Sequence, residues 1–223
     1  AQQLGWKLPE HMTLLTVFDF NSGAFDQRAL LICKQVQEIL PGSRWVIYKG
    51  RLVFLVPLFE LNSNPITDWQ KLRDYLANNK LIASVSEKFS NITELSKFYN
   101  QCEIAYDLGI LLNPDKKLHF YSDYLLHHIG ITISANNNLF DFYNPKIVEI
   151  SEYDKKNNSD LLETLEAYLI YVDNPAEASK KMNIHKNTLF YRINKIKELF
   201  NLDLTNGYER AKILLTLSFM KLK

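Results

Sequence analysis

The chain has 223 residues, of which 47% are hydrophobic and 23% are charged, ordinary values for a soluble globular protein with a full core. This length allows one large domain or two small ones. The formal net charge of +1 excludes a field over the whole molecule that would attract nucleic acid, so any such signal must be local.

The two cysteines, Cys33 and Cys102, predict neither a disulfide framework nor a metal site. Each lies in an apolar helical pattern, where cysteine usually acts as a small buried hydrophobe, and neither has a Cys or His at metal-ligand spacing. The sequence also lacks a signal peptide and any apolar run approaching the ~18 residues of a membrane span. We therefore expect a cytoplasmic protein with no cofactor, no bound metal and no membrane partner.

The first 121 residues alternate strand and helix patterns. An apolar run at 12–20 predicts a buried strand, and apolar residues at helical spacing predict a helix at 25–40. Two β-branched and aromatic runs within residues 45–58 flank Lys49-Gly50, which is typical of a hairpin. The later patterns predict a helix at 68–78, a strand at 81–86, a helix at 91–112 capped by Thr93, and a strand at 117–121. This order predicts an α+β domain with an antiparallel-rich sheet and helices on one face.

The second part of the chain is predicted to be helical. Residues 123–158 are irregular at first and then helical at 145–154, and the polar run at 155–160 is typical of a linker. Further helices are predicted at 160–172, 175–182, 185–200 and 208–222. We therefore divide the chain into an α+β domain at 1–122, a connecting segment at 123–158 and an all-α domain at 159–223.

Two of these predicted helices have the spacing of a helix-turn-helix. Asn174-Pro175 starts the short first helix, and Ala178-Ser179 is small where a second helix would cross closely. Asn183 tolerates the left-handed conformation that a tight turn needs. The second helix has an apolar stripe formed by Leu189, Ile193, Ile196 and Phe200.

Charge supports a DNA-binding role for this second helix. Between Lys180 and Lys197 there are six Lys and Arg and no Asp or Glu. Asn can pair bidentately with adenine, Arg with guanine, and Thr with bases or phosphate. We predict that double-stranded DNA is contacted by His185, Lys186, Asn187, Thr188, Tyr191, Arg192, Asn194 and Lys195.

Plainer interpretations of the same residues stay open. The basic run can be an ordinary solvated face, and the two helices can be a simple hairpin. His185 can be a helix cap, and Tyr191 can pack against the first helix.

The C-terminal residues resemble the helix-turn-helix domain of the PucR/CdaR family of bacterial transcriptional regulators. The matching residues are Tyr153-Asp154, Leu162, Thr164-Leu165, Tyr168-Leu169, the run His185-x-Asn187-Thr188-Leu189-x-Tyr191-Arg192, and Leu202-Asp203-Leu204. Two positions depart from the family: Lys186 stands where Arg is usual, and Ser179 stands where Ala is usual. The resemblance implies sequence-specific DNA binding with the 185–200 helix in the major groove, by a homodimer or a larger assembly on spaced half-sites.

In that family the preceding region is often a degenerate GGDEF-like domain, and residues 1–121 look similar. True GGDEF domains make cyclic dinucleotides and carry Gly-Gly-Asp/Glu-Glu-Phe on a central hairpin. Here Lys49 replaces one glycine, and Arg51 and Leu52 occupy the acidic positions, so this turn offers no side-chain oxygen to Mg²⁺. Asp19 is a candidate remnant carboxylate. We expect a ferredoxin-like βαββαβ domain that does not catalyse and that dimerises or relays a signal.

Two alternative functions stay open. The first is a helical protein-interaction module whose basic stripe meets an acidic partner. The second is a residual nucleotide-binding or cyclase-like enzyme, which the hairpin composition disfavours. No effector is predicted; the chain begins at Ala1 without Met, so a preceding sensor region would place the effector-binding residues outside it.

Overall fold

The computed structural model describes residues 10–18, 25–58 and 65–222, with no side chains described at 25–27 and 65–68. Asp19 therefore lies outside the described residues. The chain divides into two compact units, residues 1–125 and residues 126–223. The first unit combines a sheet with helices and the second is helical, which confirms the mixed α+β prediction.

The first unit is built on a five-stranded sheet with the order β2-β3-β1-β4-β5. The strands are β1 (Met12–Phe18), β2 (Arg44–Tyr48), β3 (Arg51–Pro57), β4 (Ile82–Val85) and β5 (Leu118–Phe120). The first four pair antiparallel, and β5 runs parallel to β4. The helices are α1 (Phe25–Ile39), α2 (Pro65–Asn78) and α3 (Leu95–Leu112).

Helices cover both faces of this sheet, so the prediction of helices on one face was wrong. On one face α1 and α2 pack against Leu15 and Phe54, and on the other α3 packs against Met12 and Leu14. The reason is visible in β1, in which every residue is buried rather than every second one. A strand that is apolar on both faces requires cover on both faces.

The turns and caps follow the sequence with one exception. Lys49 and Gly50 both have positive φ angles, 49° and 73°, as a two-residue type I′ hairpin turn requires, so the predicted hairpin is confirmed. Before α3 the chain forms a short 3₁₀ turn at Ile92–Glu94, where the Asn91 side chain accepts a hydrogen bond from the Thr93 amide. Asn91, and not Thr93, is therefore the capping residue.

A buried histidine–tyrosine pair lies where β5 meets α3. His119 is fully buried, and its Nδ1 lies 2.8 Å from the Tyr124 hydroxyl, which also accepts a hydrogen bond from Asn113. A Cβ added at Gly109 would overlap the His119 ring, so the helix approaches the strand closely only because residue 109 is glycine. Burial, with help from Lys116 and Lys117, lowers the pKa of His119 to about 4.

This depressed pKa predicts a specific loss of stability in acid. Between pH 6.5 and 4 the unfolded chain binds a proton at His119 that the folded chain does not, so the free energy of unfolding falls as the pH falls. Urea unfolding followed by circular dichroism at pH 7 and pH 4.5 measures this fall. We expect the loss of unfolding free energy between pH 7 and pH 4.5 to be smaller in His119→Gln. Tyr124→Phe keeps the imidazole, so it should show the same loss as the wild type. Equal pH dependence in wild type and His119→Gln would contradict this assignment.

The helical unit packs around one apolar core. Its helices are α4 (Tyr121–Ser134), which begins before the unit boundary, α5 (Pro145–Asn157), α6 (Leu161–Ile170), α7 (Pro175–Lys181), α8 (Lys186–Phe200) and α9 (Gly207–Met220). The core is formed by Ile147, Ile150, Leu161, Leu165, Leu169, Ile193, Ile196, Leu202, Leu204, Ile213 and Leu217.

Two expectations for the connecting segment were wrong. Residues 121–134 form α4 where irregular chain was expected, and α5 continues through Lys155 and Lys156 into the run interpreted as a linker. These two lysines lie in the last turn of α5, where positive charge is favourable, and Asn158 ends the helix in the left-handed conformation. Because Ile147 and Ile150 are fully buried in the helical core, α5 is a structural part of the second unit.

Within the described residues no helix is both long enough and apolar enough to cross a membrane.

Candidate nucleic-acid interface

Helices α7 and α8 are joined by a tight turn with the predicted geometry. Asn174 caps α7 by accepting from the Glu177 amide, and Pro175 is the first helical residue. Asn183 has φ 52°, and the next amide, that of Ile184, donates to the Ser179 carbonyl at 3.0 Å. This six-residue closure is the Schellman type of helix ending, so the left-handed asparagine fixes the direction in which α8 leaves α7.

One face of α8 is anchored in the core. Leu189, Ile193 and Ile196 are fully buried, and α8 packs against both α6 and α7. Ala178 and Ser179 of α7 are also buried, which confirms that small residues occupy the helix crossing. The buried stripe therefore determines which residues of α8 can face outward.

The opposite face of α8 is polar and exposed. It carries Asn187, Tyr191, Asn194 and Glu198, with the exposed residues Lys186 and Thr188 on its two flanks, and the Tyr191 side chain is 67% exposed. Tyr191 therefore does not pack against the first helix. No acidic residue occurs between Lys180 and Lys197, so no carboxylate on this stretch opposes a phosphate.

Three of the predicted DNA-binding residues cap α8 or contact other helices of the unit. His185 caps α8, since its Nδ1 accepts from the Asn187 amide at 3.2 Å. Arg192, only 24% exposed, donates to the Thr164 hydroxyl at 3.1 Å and lies 3.6 Å from an Asp160 carboxylate oxygen. Lys195 places its ammonium 5.3 Å from the centre of the Tyr153 ring. The other five predicted residues share the open face described above.

Asp154 supports α6, the helix on which α8 lies. Its two carboxylate oxygens accept from the Ser159 hydroxyl at 2.6 Å, the Leu161 amide at 3.0 Å and the Leu162 amide at 2.8 Å. A carboxylate at this position satisfies free amides at the start of α6 and complements its dipole. The neighbouring Tyr153 ring packs edge-to-face on Phe200 of α8 at 5.7 Å.

Sequence reasoning singled out Tyr153-Asp154 only as a matching pair and assigned it no role. The cap spans seven to eight residues and crosses from α5 to α6, which local capping rules do not cover. The sequence signal was limited to a carboxylate seven residues before the start of α6; only the structure shows that the N-cap residue, Asp160, makes no side-chain cap bond.

No group of three or more His, Cys, Asp or Glu side chains that could hold a metal ion occurs in the described part of the chain.

Comparison with known proteins identifies the helical unit. Residues 161–219 match the PucR C-terminal helix-turn-helix domain. This part of the chain is a PucR-type helix-turn-helix domain. The matched stretch runs from the start of α6 to the end of α9 and contains the whole exposed face of α8.

Three curated relatives are regulators. The chain is 26% identical over 140 residues to the proline-responsive transcriptional activator PutR of Bacillus subtilis, covering 62% of this chain and 34% of PutR. It is 29% identical over 160 residues to the DNA-binding transcriptional activator AdeR of the same species, covering 71% and 38%. It is 28% identical over 134 residues to the carbohydrate diacid regulator of Escherichia coli, covering 60% and 34%. The chain thus matches little more than a third of each relative's length.

A crystal structure of a regulator of polyketide synthase expression from Bifidobacterium adolescentis is similar over 99% of this chain and 83% of that chain. Its sequence identity to this chain is 17% and the TM-score is 0.44.

The Arg192 contacts predict a coupling that stability measurements can detect. We expect Arg192→Ala to lower the free energy of unfolding by about 1 kcal/mol, because a charge-assisted hydrogen bond between α8 and α6 is lost. A double-mutant cycle with Thr164→Val, measured by urea unfolding, should show less than additive losses. Lys180→Ala, an exposed basic residue of α7, is the matched control and should change stability little. Strict additivity of the two losses would contradict the contact.

Proposed function

We propose that this chain is the DNA-binding part of a transcriptional regulator and that α8 reads base edges in the major groove. The observation that carries the proposal is the open face of α8, a polar surface with no carboxylate before Glu198, opposite a fully buried stripe. The major groove of B-DNA admits one α-helix, and side chains on its exposed face then reach the base edges.

We propose two kinds of role for the eight predicted residues: contact with DNA and positioning of α8. Asn187 and Asn194 suit bidentate pairing with adenine, while Lys186 and Thr188, in the first turn of α8, suit phosphate. Tyr191 lies between the two asparagines on the same face. His185, Arg192 and Lys195 already cap, brace and pack α8, so we propose that they chiefly position it.

We propose that the chain acts as a homodimer or larger assembly. One helix in one groove buries little protein surface, whereas two copies on half-sites about one helical turn apart, roughly 34–36 Å, bury enough for specific binding. A protein with this target acts in the cytoplasm.

We propose that the first unit is a GGDEF-like domain without catalysis. Support comes from its β-α-β-β-α-β order with four antiparallel strands, which is the ferredoxin-like arrangement. The hairpin residue that replaces an acid, Arg51, forms an ion pair with Glu103 at 3.1 Å and lies 4.2 Å from the Phe18 ring. A guanidinium bound in this way occupies the place where a cyclase would need carboxylates for Mg²⁺. The relatives, all regulators, favour the same conclusion.

Sequencing of genomic DNA captured by the immobilised chain tests the proposed function. We expect enrichment of a few promoter-proximal sites that weakens at higher salt, because phosphate contacts release counterions. Asn187→Ala should lose these sites, since a missing bidentate contact weakens discrimination by about 1–3 kcal/mol per base pair.

Asn136→Ala, the same substitution at an exposed position after α4, is the matched control and should keep the enriched sites. Uniform enrichment in the wild type, with no peaks at either salt concentration, would mean that the basic face binds DNA without reading it. Retention of a partner protein in place of DNA would favour the interaction-module alternative.

A further inference from the structure

Strand β2 is the terminal strand of the sheet, and among the described residues no strand pairs with its outer side. Natural edge strands usually carry charges, a proline or a bulge that blocks pairing with another chain. β2 has one charged residue of five, Arg44, contains no proline, and pairs one-to-one with β3 along its whole length.

Apolar side chains surround this edge. Val46 is 57% exposed and Tyr48 is 48% exposed, and Ile47 and the nearby α1 residues Leu30 and Leu31 are exposed as well. A groove of about 530 Å³ between α1 and β2 is lined by Leu30, Leu31, Cys33, Lys34, Gln37 and Trp45. Five of the exposed large apolar side chains of the first unit thus gather around one open strand edge.

The hairpin turn determines which backbone groups of β2 face outward. In a two-residue type I′ hairpin the residues that flank the turn, here Tyr48 and Arg51, form a hydrogen-bonded pair. Hydrogen-bonded and non-hydrogen-bonded pairs alternate along the ladder, so Val46 also points its amide and carbonyl toward β3. Trp45 and Ile47 therefore point theirs outward, away from the sheet.

We propose that this edge binds the same edge of a second copy of the chain, with a two-fold axis at Val46. Antiparallel pairing about that axis places Trp45 opposite Ile47 of the second copy, and each residue then has an outward amide and carbonyl to exchange. The two symmetry-related Trp45–Ile47 pairs each form two backbone hydrogen bonds, four in all. The two five-stranded sheets then become one continuous ten-stranded sheet. Val46 faces Val46 of the second copy as a non-hydrogen-bonded pair.

A second copy fits this edge better than an unrelated strand does. The register is self-complementary, so one strand sequence supplies every partner group, as an isologous two-fold interface requires. The five apolar side chains around β2 are each about half exposed, and exposed apolar patches on monomers often mark a functional surface. A stable interface buries roughly 800 Å² per partner, so we expect it to include these side chains and the groove as well as the strand edge. The inference rests on the sheet edge alone and does not depend on DNA binding.

Disulfide trapping tests both the interface and its register. In a non-hydrogen-bonded pair the Cα atoms lie about 4.5 Å apart, within the range that a disulfide spans. We therefore expect the Val46→Cys chain to form a covalent dimer on mild oxidation. Tyr48→Cys is the matched control: it is similarly exposed, yet four residue steps separate it from its own copy, roughly 14 Å, too far to bridge. The native Cys33 and Cys102 are buried.

Sedimentation of a second variant keeps the test independent of cysteine chemistry. We expect the wild type to sediment as a dimer at tens of micromolar and Ile47→Lys, which places a charge on the edge, as a folded monomer. Equal crosslinking of both cysteine variants, no crosslinking of Val46→Cys, a dimer that survives Ile47→Lys, or a monomeric wild type would each overturn the interface. A monomeric chain that still enriches specific promoter sites would overturn this interface and leave the proposed DNA reading intact.

Discussion

Burial of the apolar stripe of α8 is the constraint on which the rest of the helical unit depends. Leu189, Ile193 and Ile196 are fully buried, and burying each such side chain contributes about 1.5–3 kcal/mol. Rotating α8 about its own axis would expose all three, so the stripe fixes the direction in which the polar face points. The face that could meet DNA is therefore a consequence of packing, and no residue on it has to contribute to stability. The residues on this face can therefore vary with the DNA sequence that is bound without a large change in stability.

The polar contacts of the unit maintain the surface against which α8 packs. Asp154 caps α6 through both carboxylate oxygens, and Arg192 joins α8 to the same end of α6 through Thr164. Tyr153 contacts Phe200 from the neighbouring helix. Several residues that match the family's sequence pattern thus stabilise the packing of the helices. A match to that pattern therefore does not by itself identify the residues that contact DNA.

Periodicity and turn chemistry predicted α8 well because both are local properties. The stripe of α8 follows from 3.6-residue spacing, and the left-handed turn at Asn183 follows from the residue type. The errors arose where distant parts of the chain decide the outcome. Whether α3 covers the second face of the sheet depends on how deeply β1 is buried, and the cap of α6 comes from α5. The ion pair of Arg192 with Asp160, 32 residues earlier, is likewise not visible in the local pattern.

Charge distribution supports the same account. The chain as a whole is nearly neutral, yet six basic residues and no acidic ones lie between Lys180 and Lys197, so the remainder is net negative. A local positive charge on a chain that is otherwise negative turns the basic stretch toward the phosphate backbone and disfavours contact through other surfaces. We propose that the outward face of α8 lies in the major groove. The most direct test of this proposal is DNA cleavage by an iron chelate attached at Glu198→Cys, an exposed position on that face, since the native cysteines are buried. We expect cuts confined to a few base pairs within each bound half-site. Bound DNA that is uncut, or cut evenly along its length, would contradict the proposal.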